Sequence, residues 1–302
     1  MASAQIVDVT ARDGFQNIAD WIPTDVKTAV LDQLVAAGVK RLEATSFVSP
    51  KAVPQLADAS KIVNHMATRH PDVETHVLAP NLRGARDAVQ AGAGRINYVI
   101  SVSREHNRAN INRTHEESLR DLASIIDALP KPEITVSLAT VFGCPFAGRV
   151  PTADTVALAE KVASLGVRSV ILADTIGVAN PRQVRGVLRD FRAALPQLAV
   201  RLHLHDTHGM GLANMLAAME EGFFAFETAT GGLGGCPFAP GAAGNTATED
   251  AVNMLHRMGI DTGINLAALL EVVKTLRENL AVPLPGRFSV ARGFQEFCFY
   301  DV

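Results

Sequence analysis

Eight times along the chain a short apolar run is followed by a longer segment with helical spacing. The unit repeats roughly every 30 to 40 residues, the period of a strand, a helix and two connections. The runs are Gln5–Thr10, Val39–Ala44, Val73–Ala79, Arg95–Val102, Ile134–Val141, Val167–Leu172, Leu198–His205 and Phe223–Thr228. The segments between them carry helix punctuation. Thr24 or Asp25 and Thr152 stand at N-cap positions, Pro181 opens a helix, and Thr246-x-x-Glu249 has capping-box spacing. Gly38, Gly92, Gly166 and Gly222 follow helix ends. Further helices are expected over about 54–68, over 82–91, from Thr114, and over about 265–280. Strict alternation of this kind predicts an α/β fold, a (β/α)8 TIM barrel. A doubly wound sheet would carry Gly-x-Gly-x-x-Gly after its first strand, and Arg12-Asp-Gly-Phe-Gln-Asn17 is not that turn. One domain over 1–302 is expected, with the barrel over about 5–260 and a C-terminal helix and irregular tail over about 264–302.

The chemistry is expected where barrels keep it, at the C-terminal ends of the strands. His203 and His205 sit at i and i+2 on the seventh run, so both imidazoles share one face. That pair suits one metal ion, and oxygen co-ligands suit Mg²⁺, Mn²⁺ or Co²⁺ better than a closed zinc site. Asp13 is the natural third ligand, although an Asp-Gly pair also serves as a plain turn. Arg12 has two readings: a rim ion pair with Glu43 or Asp174, or a fixed cation facing a developing oxyanion. Glu43 reads as the carboxylate that orients it. Asp174 either orients a neighbour or handles a substrate hydroxyl proton. Asn81, Ser101, Ser103, Thr140, Glu227 and Thr228 also fall near strand ends.

Bulk properties exclude several classes. Hydrophobic residues make up 48% of the 302 and charged residues 20%, with a net charge of −3. No cluster of Lys and Arg marks a nucleic-acid footprint, and no apolar run reaches bilayer length. Cys144, Cys236 and Cys298 lack zinc or disulfide spacing. With no leader pattern at the N-terminus, a soluble cytoplasmic protein is expected. Cys236 lies inside the glycine-rich stretch Gly231–Asn245. That stretch reads either as a phosphate cradle or as a mobile lid carrying a thiol. Cys144, in Gly143-Cys-Pro145, is the competing reactive thiol, and Cys298 reads as structural.

These stretches resemble a known family. Thr10-Ala-Arg-Asp-Gly-Phe-Gln-Asn17, Glu43-Ala-Thr-Ser-Phe-Val-Ser-Pro-Lys51, Asp174-Thr-Ile-Gly177, His203-Leu-His-Asp-Thr-His-Gly209 and Gly232-Leu-Gly-Gly-Cys-Pro-Phe-Ala-Pro-Gly241 are similar to those of 3-hydroxy-3-methylglutaryl-CoA (HMG-CoA) lyases. The resemblance runs in order from about residue 5 to 280. It implies a divalent metal on Asp13, His203, His205 and Asn245, with Asn245 assigned by the resemblance alone. It implies catalytic roles for Arg12, Cys236, Asp174, Glu43 and His203: Arg12 stabilises an enolate, Cys236 is a mobile general acid/base, and Glu43 and Asp174 support the site. The implied partner is an acyl-CoA substrate, and a homo-oligomer is expected, with no nucleic acid and no membrane. Ile18, Ala52, Glu227-Thr-Ala-Thr-Gly231 and Ala243 depart from the usual pattern. Ala52, where the family usually has Trp, leaves room for a different acyl group. A lyase for another tertiary 3-hydroxy-acyl-CoA, such as citramalyl-CoA, is the alternative, and a Claisen-condensing synthase a more distant one.

Overall fold

The computed structural model of the protein describes residues 2–235 and 244–290. Eight parallel strands close into a barrel in chain order. They are β1 (Gln5–Asp8), β2 (Arg41–Ser46), β3 (Glu74–Leu78), β4 (Arg95–Ser101), β5 (Glu133–Ala139), β6 (Ser169–Asp174), β7 (Ala199–Leu204) and β8 (Ala225–Thr228). Closure runs through β1 and β8, where Gln5 pairs with Ala225 and Asp8 with Thr228. The surrounding helices are α1 (Thr24–Ala36), α2 (Ala59–Arg69), α3 (Leu82–Gln90), α4 (Arg104–Ile111), α5 (His115–Ala128), α6 (Thr152–Ser164), α7 (Pro181–Ala194), α8 (Gly211–Glu220), α9 (Thr248–Arg257) and α10 (Leu266–Asn279). Most turn an apolar stripe onto the strands, as with Val184, Val187, Leu188 and Phe191 of α7.

The barrel interior is unusually polar. Glu43, His76, Asn97 and Glu227 are all buried. Asn97 donates to Glu43 Oε1 (2.7 Å) and accepts from Ser137 (2.9 Å), while Arg201 donates to Glu227 Oε1 (3.2 Å). Most buried polar groups are paired, as Glu43, Asn97 and Glu227 are here. These pairs span β2, β4 and β5 on one side and β7 and β8 on the other, and they present two oriented carboxylates to the mouth.

Several local expectations are corrected. β1 stops at Asp8, and Thr10–Gly14 winds into a π-helical turn in which Val9 O accepts from the N–H of Arg12, Asp13 and Gly14. The segment over 54–68 divides into a 3-10 turn, Pro54–Leu56, and α2. Asp58 precedes α2 but does not cap it, because Lys27 and Thr24 hold its carboxylate. That bond also removes Thr24 as a cap, and Pro23 takes the N-cap position of α1. Pro151, not Thr152, precedes α6. The capping box at Thr246 and Glu249 does not form: Thr246 donates to Leu204 O (2.8 Å) and Glu249 accepts from Gly231 N (2.9 Å). Helix α4 was not expected. Ser103, read as the end of β4, is its N-cap and accepts from His106 N. Thr140 lies just past β5 with φ 63, a left-handed conformation uncommon for a β-branched residue. Its hydroxyl accepts from Ser103 N (3.1 Å) and its N–H donates to Thr175 (2.7 Å), which hold it there. The capping box at Thr114 and Glu117 is present.

Candidate active site at the barrel mouth

Asp13, His203 and His205 come together from opposite ends of the chain, and their ligand atoms lie within 4.8 Å of one another. The turn after β1 supplies Asp13. Strand alternation at the end of β7 supplies the histidines, whose Nε2 atoms are 3.0 Å apart. Asp13 Oδ2 lies 3.9 Å from His205 Nε2 and accepts from Asn245 Nδ2 at 2.6 Å. His205 is one residue past β7 and bridges to Asn245. The glycine-rich stretch thus re-enters the described structure beside the histidines.

Each group has a partner that sets its orientation. Glu227 Oε2 is 2.9 Å from His203 Nδ1, in register with it across β7 and β8. Donation from Nδ1–H to that carboxylate leaves Nε2 with its lone pair facing Asp13 and His205. Arg12 donates through Nε to Glu43 and through Nη1 to Asp13 Oδ1 (2.5 Å). Gln16 donates to the same Asp13 oxygen (2.6 Å). Two of the five N–H groups of the guanidinium are committed among the described residues, and three remain for a ligand.

The electrostatics follow from burial and proximity. Burial alone would raise the Asp13 carboxyl, but Arg12 and both imidazoles outweigh it and hold Asp13 well below the usual carboxylate range. Burial opposes the Arg12 charge too, yet Glu43 and Asp13 keep the guanidinium firmly protonated. Burial lowers His203, and Glu227 more than offsets it, leaving the imidazole above its ordinary value.

Asp174 is completely covered, and its two oxygens accept from Val178 N and Ala179 N, each at 3.0 Å. It braces the turn after β6, and burial raises its pKa. Cys144 is buried, with its sulfur 3.1 Å from Ser103 Oγ and accepting from Phe146 N and Ala147 N. A thiol so occupied is a turn-forming group. Cys236, Cys298 and Ala243 lie outside the described residues. The stretch flanking Cys236 is held against the site, because Gly234 (φ +109) would place a Cβ 2.5 Å from Asn245 Nδ2 and 3.1 Å from Asp13 Oδ2. Asn17 also donates to Gly235 O (2.6 Å).

The donor set suits a divalent cation on two observations. Three ligand-type side chains converge in a buried position, and Asn245 Oδ1 is a buried acceptor without a partner among the described residues. Glu227 is the residue that reasoning from sequence missed as a partner for His203. Its signal was its place at the end of the strand next to β7. Glu227→Gln is expected to weaken Mn²⁺ binding about 10- to 100-fold, the usual effect of losing the carboxylate behind a ligating histidine. Unchanged affinity in a calorimetric titration would remove Glu227 from this role.

Fold and donor set together define a (β/α)8 barrel with a metal-type cluster at its C-terminal mouth. A family model described as HMGL-like matches residues 3–276. The hydroxymethylglutaryl-CoA lyase of Bacillus subtilis is 42% identical over 93% of this chain and 95% of its own length. The (R)-citramalyl-CoA lyase of Chloroflexus aurantiacus is 38% identical over 95% of this chain and 94% of its own. The structure of an HMG-CoA lyase from Acinetobacter baumannii in complex with coenzyme A and 3-methylmalate has a TM-score of 0.92 and 41% identity, covering 97% of this chain and 96% of that one. The chain belongs to the HMGL-like family, among carbon–carbon lyases. No described helix is long and apolar enough to cross a membrane.

Glu249, at the base of the same loop, gives a pH test. Burial raises its carboxyl to about 7, and Oε1 has no partner among the described residues. The unfolded chain ionises this group near its ordinary 4.5, whereas the folded chain resists until about 7. Stability from this group is therefore complete below about 4.5 and is lost as pH rises through about 7. Glu249→Gln is expected to raise the Tm at pH 8 by roughly 5 °C and to change it little at pH 4.5. An equal shift at both pH values would refute the assignment.

Proposed function

We propose that the chain cleaves the C2–C3 bond of 3-hydroxy-3-methylglutaryl-CoA, yielding acetoacetate and acetyl-CoA. The observation that carries this is the junction of Asp13, His203 and His205 beside Arg12, with the loop flanking Cys236 packed on Asp13 and Asn245. Asp13, His203, His205 and Asn245 would hold a divalent ion, Mg²⁺ or Mn²⁺ by ligand type, which supplies Lewis-acid polarisation of substrate oxygens. The 3-hydroxyl gives its proton to water at the mouth, while Asp174, covered and held by Val178 N and Ala179 N, braces the turn beside the site. As C3–O becomes a ketone, the C2–C3 electron pair passes to the thioester oxygen. Arg12, fixed by Glu43 and Asp13, faces that growing charge with its uncommitted N–H groups. Cys236 gives its thiol proton to C2, and the solvent that took the 3-hydroxyl proton returns the thiolate to a thiol.

Cys236→Ser is expected to lower kcat by about 10²–10⁴-fold, the range for loss of a positioned acid. Mn²⁺ binding stays intact, and near-normal turnover refutes the role. Substrate choice is tested on purified protein with a panel of HMG-CoA, citramalyl-CoA and longer branched 3-hydroxy-acyl-CoAs, with and without EDTA. HMG-CoA is expected to show the highest kcat/KM, with cleavage abolished by EDTA. Preference for citramalyl-CoA would favour the second reading, which the relative at 38% identity and the missing Trp at Ala52 support. Cleavage that survives EDTA would overturn the metal assignment.

A further inference from the structure

Asp32, His65 and His70 form a second convergence of ligand-type side chains, with all three ligand atoms within 4.8 Å of one another. Asp32 lies in the second half of α1, His65 lies on α2, and His70 is the residue that ends α2. The C-terminal ends of these helices lead into the starts of the next strands. The cluster therefore belongs to the N-terminal face of the barrel, opposite the mouth.

The geometry is that of two imidazoles aimed at one point. His65 Nε2 and His70 Nε2 lie 2.7 and 2.6 Å from the same oxygen, Asp32 Oδ1. Their rings are tilted at 62° with centroids 6.2 Å apart, so they approach from different directions and do not stack. The other carboxylate oxygen faces Arg69 Nε at 3.3 Å. The Arg69 side chain is 66% exposed, against 29%, 24% and 17% for Asp32, His65 and His70, and is free to swing into water. A surface carboxylate gains little from a second or third exposed partner. Convergence of two imidazoles and a carboxylate on one point, at a site open to solvent, offers a transition metal three ligand atoms.

We infer that Asp32, His65 and His70 form a second metal site, taking Zn²⁺ or a similar borderline-soft divalent ion and fastening α1 to the end of α2. Two nitrogens and one carboxylate oxygen favour Zn²⁺, Co²⁺, Ni²⁺ or Cu²⁺ over the oxygen-seeking Mg²⁺ and Ca²⁺. Donors about 2.0–2.1 Å from a tetrahedral ion stand about 3.3 Å apart. The present hydrogen-bond spacings need to open by about 0.6 Å, within the reach of side-chain rotation. As the ion enters, each ring keeps one proton, on Nδ1, and turns its Nε2 lone pair to the ion, with exchange through solvent, and water fills the fourth position.

The test isolates this cluster from the mouth. A His203→Gln/His205→Gln double variant of the full chain, stripped with EDTA, is equilibrated with Zn²⁺, desalted and analysed for bound metal. One zinc per chain is expected, with a zinc-dependent rise in Tm. Adding His70→Gln to that background is expected to remove both. No retained zinc in the double variant, or zinc that persists after His70→Gln, overturns the site and leaves Asp32 as a hydrogen-bonded carboxylate only. Should the double variant fail to fold, Co²⁺ spectra of the wild-type chain and of His70→Gln replace it. Loss of one tetrahedral cobalt signature in His70→Gln supports the site, and identical spectra refute it. Cleavage of acyl-CoA in Mg²⁺ is unaffected by His70→Gln, so failure of this site and failure of the proposed lyase reaction read out separately.

Discussion

Replacing Arg12 with glutamine is expected to lower kcat by about 10²–10³-fold, the usual effect of removing a donor aimed at a developing oxyanion. KM changes little, because the interaction is made chiefly in the transition state. A second effect has to be separated from the first. Arg12 donates to Glu43 and Asp13, and all three are buried. Removing the cation leaves Glu43 buried without a counter-ion, at a cost of about 3–5 kcal/mol. Thermal stability is therefore expected to fall along with rate. Arg12→Gln combined with Glu43→Gln restores much of the Tm, since the two amides can pair, but leaves kcat low. Steady-state kinetics and melting curves on both variants decide. Recovery of kcat in the double variant would show that Arg12 acts only through the fold.

Substituting His205 with alanine is expected to abolish stoichiometric Mn²⁺ binding and reduce turnover to background. His205 lies beside both His203 and Asp13, and its loss leaves a single imidazole with Asp13 and Asn245, too few donors to retain Mn²⁺ through desalting. Elemental analysis after desalting checks this, and full metal occupancy would end the ligand assignment. The wild-type site also predicts a pH trend. Glu227 keeps His203 above the ordinary histidine value. Protons therefore compete with the metal below that raised pKa, and Mn²⁺ affinity falls as pH falls through it. Glu227→Gln moves the fall to lower pH, because the neutral amide no longer favours the imidazolium.

The barrel was legible because its signals are local. Strands and helices announce themselves by period and by glycine stops, and eight alternations permit few closed topologies. The histidine pair was legible for the same reason, since i and i+2 on a strand share a face wherever the strand lies. Caps were less legible. Thr24, Asp58, Thr246 and Glu249 all have capping chemistry, yet each spends its side chain elsewhere, on a partner between 18 and 42 residues away. Helix α4 was hidden by its many polar residues, which leave little apolar periodicity to detect. The turn at Arg12 was read as a plain close to β1, and its π-helical winding, which aims Arg12 and Asp13 at the mouth together, depends on three N–H groups sharing Val9 O.

By itself the sequence determined the eightfold alternation, the shared face of His203 and His205, and the chemical types available at the mouth. Only the tertiary structure decided which of those groups meet. Asp13 is 190 residues from His203 along the chain and Asn245 is 232 from Asp13, distances no periodic pattern spans. Closure of the barrel brings them to one point, pairing of β7 with β8 sets Glu227 behind His203, and pairing of β1 with β2 sets Glu43 beside Arg12. The physical reason is that periodicity reports what a residue shares with its near neighbours, whereas orientation and charge at a site depend on partners that only packing supplies.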